Sequence, residues 1–221
     1  MNHKILIVSG DPNSINSEII YKTFKNLNTI TKKKIYVISN FNLLNKQFKK
    51  LKYKIELTEV KSINDSSSSV KLKIINVPLN FKNPFKVTYL NASKFVIDCL
   101  TIAHRIAINK NLKGIINCPI DKRLIVKTKK IGVTEFFASI CNIKKDSEVM
   151  MIYNKKLSVV PITTHIKIKD ISKKITYNLI KKKLITLNEC YKKLFNKKPK
   201  IGVLGLNPHN AEYSKESEEV L

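Results

Sequence analysis

The sequence has no run of eighteen apolar residues, no CxxC or CxxH spacing and almost no arginine, and each shortage removes a class of protein. Without the long apolar run there is no candidate membrane-spanning helix. The N-terminus, Met1 to Lys4, runs straight into the apolar stretch Ile5 to Val8 with no signal-type hydrophobic region or cleavage site, so the expected location is the cytoplasm. Cys99, Cys118, Cys141 and Cys190 are far apart and lie in apolar contexts, where free thiols are commonly buried. Neither a disulfide framework nor a cysteine-based zinc site is indicated. No internal repeat is visible.

The shortage of arginine qualifies the charge. A formal net charge of +26 normally raises nucleic-acid binding, because clustered cations displace counterions from phosphates. Yet Arg105 and Arg123 are the two arginines among 42 basic residues, and base-edge or bidentate phosphate contacts favour the planar guanidinium. The lysines are spread along the chain with abundant Ile and Asn, a mixture typical of a coding sequence drifting toward A and T. No specific nucleic-acid partner and no membrane partner are therefore expected. A basic field still attracts anionic metabolites such as sugar phosphates.

What the chain does have is 221 residues with 43% hydrophobic content, enough to bury a core. Residues 5–9 read as a strand, 10–14 as a polar turn, and 16–26 as a helix capped by Ser or Asn. Residues 34–39 read as a strand and 42–51 as a helix. Strands at 54–60 and 70–77 flank a serine run, 65–69, that reads as a flexible surface loop. Ala92, Phe95, Val96, Cys99, Ala103, Ile106 and Ala107 recur at helical spacing, and 114–119 reads as a buried strand ending in a polar turn. Beyond it come a helix at 134–141, strands at 148–153 and 157–163, a long amphipathic helix at 171–195 and a last strand at 201–206. Helix feeding strand in this way predicts an α/β protein with mainly parallel sheets.

Two apolar runs stop at a polar tip ending in histidine: Pro161-Ile162-Thr163-Thr164-His165 and Ile201 through Asn207-Pro208-His209. An α/β protein presents ligands at the carboxyl ends of its strands, so this pair of tips is the expected functional site. His165 and His209 are candidate ligands of a divalent metal, or ordinary loop histidines; a catalytic metal needs a third ligand and an open position. His3 and His104 are poor candidates, the first near the terminus and the second beside an apolar helical stripe. The turn Gly10-Asp11-Pro12 either binds an anion through the amides of the following helix or binds nothing. Lys122, after a strand end, is placed to hold a phosphate or carboxylate, or is one more surface lysine. Asp170 is either an orienting carboxylate near His165 or the N-cap of the helix that follows.

Taken together and in order, these segments resemble the 4-hydroxythreonine-4-phosphate dehydrogenase family of pyridoxal phosphate biosynthesis, over essentially the whole chain. Ser9-Gly10-Asp11-Pro12 with Glu18-Ile19 is similar to the family's GDPAGIGPE segment, and Cys118-Pro119-Ile120 with Lys122 to GPxxK. Gly132 with Thr134-Glu135-Phe136 is similar to GHTEF, Thr163-Thr164-His165 with Asp170 to TTHxxLRD, and Gly205-Leu206-Asn207-Pro208-His209 to GLNPHAGE.

The resemblance implies a two-domain fold like isocitrate and isopropylmalate dehydrogenases, here expected as residues 1–112 and 113–221, the second carrying metal-ligand and dimer-interface segments. It implies a homodimer, NAD or NADP, and a divalent metal (zinc, magnesium or cobalt) on three histidines. His165 and His209 would be two of them; the third belongs to a downstream YHDQ segment, which with much of the nicotinamide site lies beyond residue 221. The chain is thus expected to be C-terminally truncated. Thr134 and Lys122 would contact substrate, with Asp170, Gly10 and Asp11 in support, and no general base is assigned. The implied activity is oxidation, with decarboxylation, of 4-phosphooxy-L-threonine. Two departures matter. Asn16 and Ser17 stand where the family has Gly and Pro, and Gly is also absent at Ser14, so this loop would approach a ligand less closely. Val133 replaces the histidine of GHTEF and cannot hydrogen-bond an anion. A dehydrogenase for another four-carbon phosphorylated hydroxy acid, or an inactive truncated homologue, therefore stays open.

Overall fold

The computed structural model describes residues 4–65, 70–108, 112–128, 132–141, 143, 147–164 and 166–205. Contacts divide the chain into two units, Met1–Lys130 and Ile131–Leu221. The first contains β1 (Lys4–Val8), α1 (Asn16–Asn26), α2 (Thr29–Lys32), β2 (Ile35–Ser39), α3 (Phe41–Lys50), β3 (Leu57–Val60), β4 (Leu72–Asn76), α4 (Tyr89–Ala107), β5 (Leu112–Asn117) and a 3-10 helix, Lys122–Thr128. Its sheet has the order β3-β4-β2-β1-β5, with every pair parallel. The expected α/β class with a mainly parallel sheet is thus what the structure has.

Side-chain alternation explains the layers. Ile35 and Val37 of β2 and Leu72 and Ile74 of β4 pack with Ile20 and Phe24 of α1 and Leu44 and Phe48 of α3. The alternate residues Leu6, Val8 and Ile38 are fully buried on the opposite face, where α4 contacts β1, β2 and β5. Most of the stripe read from the sequence of α4 is what it buries: Ala92, Phe95, Val96, Cys99 and Ala103 are all at most 1% exposed, while Ile106 and Ala107 at its end are half-buried. All five residues of β2 are buried, as a strand covered on both faces requires.

β5 departs from expectation in two ways. It is an edge strand with Ile116 55% exposed, not a buried strand, because β1 alone pairs with it among the described residues. It was also expected to open the second domain, whereas its hydrogen bonds tie it to the first sheet. The serine run 66–69 lies outside the described residues. The cap expected for α1 is absent: Ile15 takes that position and no side chain caps the helix.

The second unit holds α5 (Val133–Ile140), a 3-10 turn (Ile168–Asp170), α6 (Ile171–Lys174) and α7 (Tyr177–Phe195). The single helix expected over 171–195 is broken because Thr176 is extended (φ −134°, ψ 154°) and its hydroxyl accepts from the Leu179 amide at 3.2 Å, starting a new helix. The strands expected at 148–153 and 157–163 reduce to one antiparallel bridge, Ile152 to Val159, with N···O distances of 2.8 and 3.0 Å. Residues 201–205 form no strand. In both places apolar alternation is present, but no neighbouring strand among the described residues completes a ladder. No helix among the described residues is long and apolar enough to cross a membrane.

Candidate functional site

From β1 the chain turns to β2 on one side, and after β4 it crosses to place β5 on the other side of β1. That reversal makes the carboxyl ends of β1 and β5 the switch point of the sheet, the position where open α/β sheets hold ligands. Two loops meet there. The Cys118 amide donates to Val8 O at 2.9 Å, continuing the pairing past the strand ends, and the Asp11 amide donates to Pro119 O at 3.2 Å.

Gly10 lies between them at φ +71°, and a Cβ there would come within 2.5 Å of Pro119 O and 2.7 Å of Asn16 Nδ2. Both the left-handed backbone and the close approach demand glycine. Asn16 Nδ2 donates to Pro119 O at 2.8 Å and Asp11 O at 3.2 Å, so one buried amide joins the two loops. The sequence showed Asn16 as a missing glycine; the structure shows its side chain filling the space over Gly10.

Other amides fix the remaining strand ends. Asn13 and Val87 exchange two hydrogen bonds, at 2.9 and 2.7 Å. Gln47 donates to Pro12 O at 2.9 Å and Pro84 O at 2.7 Å, and Asn40 caps α3 while donating to Val77 O at 2.8 Å. The Asp11 carboxylate accepts from the Asn13 amide at 2.8 Å, an Asx turn that shapes the loop.

Lys122 opens the 3-10 helix and is exposed, between Asp121 and Arg123. Those two neighbours form a bidentate pair, with Arg123 Nη2 to Asp121 Oδ2 at 2.6 Å and Nε at 2.9 Å to the same oxygen. The guanidinium's hydrogen bonds hold the Asp121 carboxyl below its ordinary range. The 3-10 helix is anchored on α4 by Tyr89 Oη to Arg123 O at 2.5 Å and Ser93 Oγ to Leu124 O at 2.6 Å. Arg123 was not singled out from the sequence; its signal is the Asp-x-Arg spacing just after a strand end. Burial pushes the Cys118 thiol up to about 11, which disfavours the reactive thiolate.

In the second unit Gly132 precedes α5, Val133 opens it half-buried and Thr134 is exposed in its first turn. Asp170 occupies the N-cap position of α6, yet its side chain makes no capping hydrogen bond. His165 and His209 lie outside the described residues, and His3 with them. Among the described residues there is no group of three His, Cys, Asp or Glu that fits a metal ion. Gly10, Asp11 and Lys122 thus belong to the first unit, and Thr134 and Asp170 to the second.

Residues 31–220 match a family model described as pyridoxal phosphate biosynthetic protein PdxA. The chain is 35% identical over 213 residues to a 4-hydroxythreonine-4-phosphate dehydrogenase of Sulfurihydrogenibium sp. (strain YO3AOP1), covering 93% of this chain and 63% of that relative. It therefore spans under two thirds of that relative's length. Its fold is similar to crystal structures of 4-hydroxythreonine-4-phosphate dehydrogenases from Klebsiella pneumoniae (TM-score 0.81, 23% identity, covering 94% of this chain and 65% of that one) and Burkholderia phymatum (0.82, 22%, 98% and 68%).

Proposed function

We propose, from the premise that the chain belongs to the PdxA family of pyridoxal phosphate biosynthetic proteins, that it serves as a 4-hydroxythreonine-4-phosphate dehydrogenase. The reaction is NAD(P)-dependent oxidation of 4-phosphooxy-L-threonine with decarboxylation. The observation that carries the reading is the family match over residues 31–220, joined to the ordered segments at 9–12, 118–122, 132–136, 163–165 and 205–209. The reading includes a cytoplasmic homodimer with a small phosphorylated substrate.

The donor chemistry suits a divalent ion such as zinc or cobalt better than magnesium, which prefers oxygen ligands: His165 and His209 would supply two imidazoles, with a third ligand in the family's downstream segment. A bound ion would supply Lewis acidity toward the substrate hydroxyl. Thr134, exposed in the first turn of α5, would donate its hydroxyl to a substrate anion, and Lys122 would add a positive charge. Asp11 and Gly10 would shape the loop at the β1 end, held by Asn16, and Asp170 would orient the segment after His165.

The test uses the whole polypeptide that the reading frame encodes, incubated with 4-phosphooxy-L-threonine, NAD or NADP and a divalent ion, while nicotinamide reduction is followed. Metal-dependent reduction is expected, falling by about 100-fold or more in His165→Ala and His209→Ala. A protein that binds neither metal nor NAD defeats the reading. Val133 favours a second substrate, another four-carbon phosphorylated hydroxy acid, since it stands beside Thr134 where the family has histidine. Val133→His should then shift preference toward 4-phosphooxy-L-threonine; unchanged preference removes Val133 as the determinant.

A further inference from the structure

At the opposite edge of the sheet, where the strands begin, lies a cleft of about 470 Å³. Phe24 and Lys25 at the end of α1, Lys32 of α2, residues 54–56 before β3 and residues 70–71 before β4 line it. Four lysines and one glutamate leave three net positive charges around it. Glu56 is committed to Lys71 at 2.8 Å. Lys32 Nζ lies 5.5 Å from the Phe24 ring centroid and donates to Lys25 O at 3.2 Å, cancelling the partial negative charge at that end of α1. Lys54 has no partner among the described residues, and Lys25 has only the face of Tyr21, at 6.0 Å.

We propose that this cleft, walled by Lys25, Lys32, Lys54 and Lys71 over Phe24, is a binding site for a small oligophosphate anion. Its volume lies within the roughly 300–1,000 Å³ typical of small-molecule sites. Ammonium groups are compact, strongly hydrated point charges, suited to phosphate oxygens and indifferent to the rest of the ligand. With no guanidinium in the wall, recognition follows charge density, so affinity rises from phosphate to diphosphate to tripolyphosphate. The geometry disfavours nucleic acid, because the Phe24 ring is buried beneath the Lys32 ammonium and offers no face for a base to stack on. The +26 charge of the chain speeds the approach of any anion, whereas the cleft makes one location better than the rest.

Calorimetric titration of the 221-residue chain with inorganic tripolyphosphate, at low and at physiological salt, tests this. One saturable site is expected, weaker for diphosphate. Lys54→Glu should weaken it by about tenfold or more, and Glu56→Gln, which frees Lys71, should strengthen it by about threefold. Lys94→Glu makes the same change in net charge on the exposed side of α4, away from the cleft, and should cost less than about twofold. Thermal unfolding of each variant confirms that it is folded. Equal losses in Lys54→Glu and Lys94→Glu, non-saturating binding, or stronger binding of single-stranded nucleic acid with increasing length would overturn the proposal.

Discussion

Lys73 offers the sharpest test of the packing. It stands on β4 opposite Tyr36 of β2, is 1% exposed, and donates to Lys33 O at 2.7 Å with its ammonium 4.9 Å from the Tyr36 ring centroid. Burial is the main cause that lowers its pKa below the ordinary 10.5, and Lys4 and Lys33 add to it. A lysine whose folded pKa is depressed favours the fold when neutral, so stability is lost as pH falls from 10.5 through the folded pKa. Each proton contributes at most about 1.4 kcal/mol per pH unit in that window. Tyr36 bounds it from above, since its raised pKa makes stability fall above about pH 10 as the unfolded phenol ionises first.

Wild type should therefore gain stability as pH rises toward 10, and Lys73→Met should abolish the gain. At neutral pH Met removes a charge-assisted hydrogen bond worth about 1.5–3 kcal/mol and also removes an ammonium whose burial costs several kcal/mol. Similar volume leaves no large cavity, so the net change should stay within about 1.5 kcal/mol. Lys73→Ala adds the cavity and should cost about 2–5 kcal/mol more. Urea unfolding followed by circular dichroism from about pH 7 to 10 reads all three. An unchanged slope in Lys73→Met, or wild-type stability that falls over that range, refutes the reasoning.

Gly10→Ala should destabilise the protein by at least about 1–2 kcal/mol, read as a lower Tm, because φ is +71° and the new Cβ meets Pro119 O. Asn16→Ala removes the two hydrogen bonds of its side chain, to Pro119 O and Asp11 O, leaving the Asp11 amide on Pro119 O, and should cost about 1–3 kcal/mol in chemical unfolding, with the Asp11 region more open to proteolysis. Thr176→Ala should cost about 0.5–2 kcal/mol of the helicity of α7 by circular dichroism. A thiol reagent at mild pH should label Cys141 and Cys190 quickly and leave buried Cys99 and Cys118 unmodified until unfolding.

The inner strands of the first sheet and its longer helices were legible because they carry a complete period: α1 spans 16–26 as read, and most of the α4 stripe is buried. Elements whose signal is not periodic were not. The four-residue α2 rests on the Asn28 cap, and the break at Thr176 rests on one hydroxyl competing with a continuous apolar pattern. Around the candidate residues, the helix read from Thr134 is present as α5, whereas the 3-10 helix that begins at Lys122 and the amide bonds of Asn13, Asn16 and Gln47 were invisible. Their acceptors are backbone carbonyls, which any residue supplies, so no pattern of residue types marks the pairing.

The order of the strands also has a consequence in time. Ile5 pairs with Ile35 and, on its other side, with Gly114, so one seam of β1 closes a short loop and the other a long one. Loop-closure entropy rises with length, which makes β1 against β5 the late joint of folding and the early one of opening. Amide exchange at Cys118, bonded to Val8 across that seam, should accordingly lead exchange at Val37 within the sheet. The Asn16 side chain lies across this same joint beside the Asp11 amide, so each opening of the joint must break a side-chain bond as well as a backbone one.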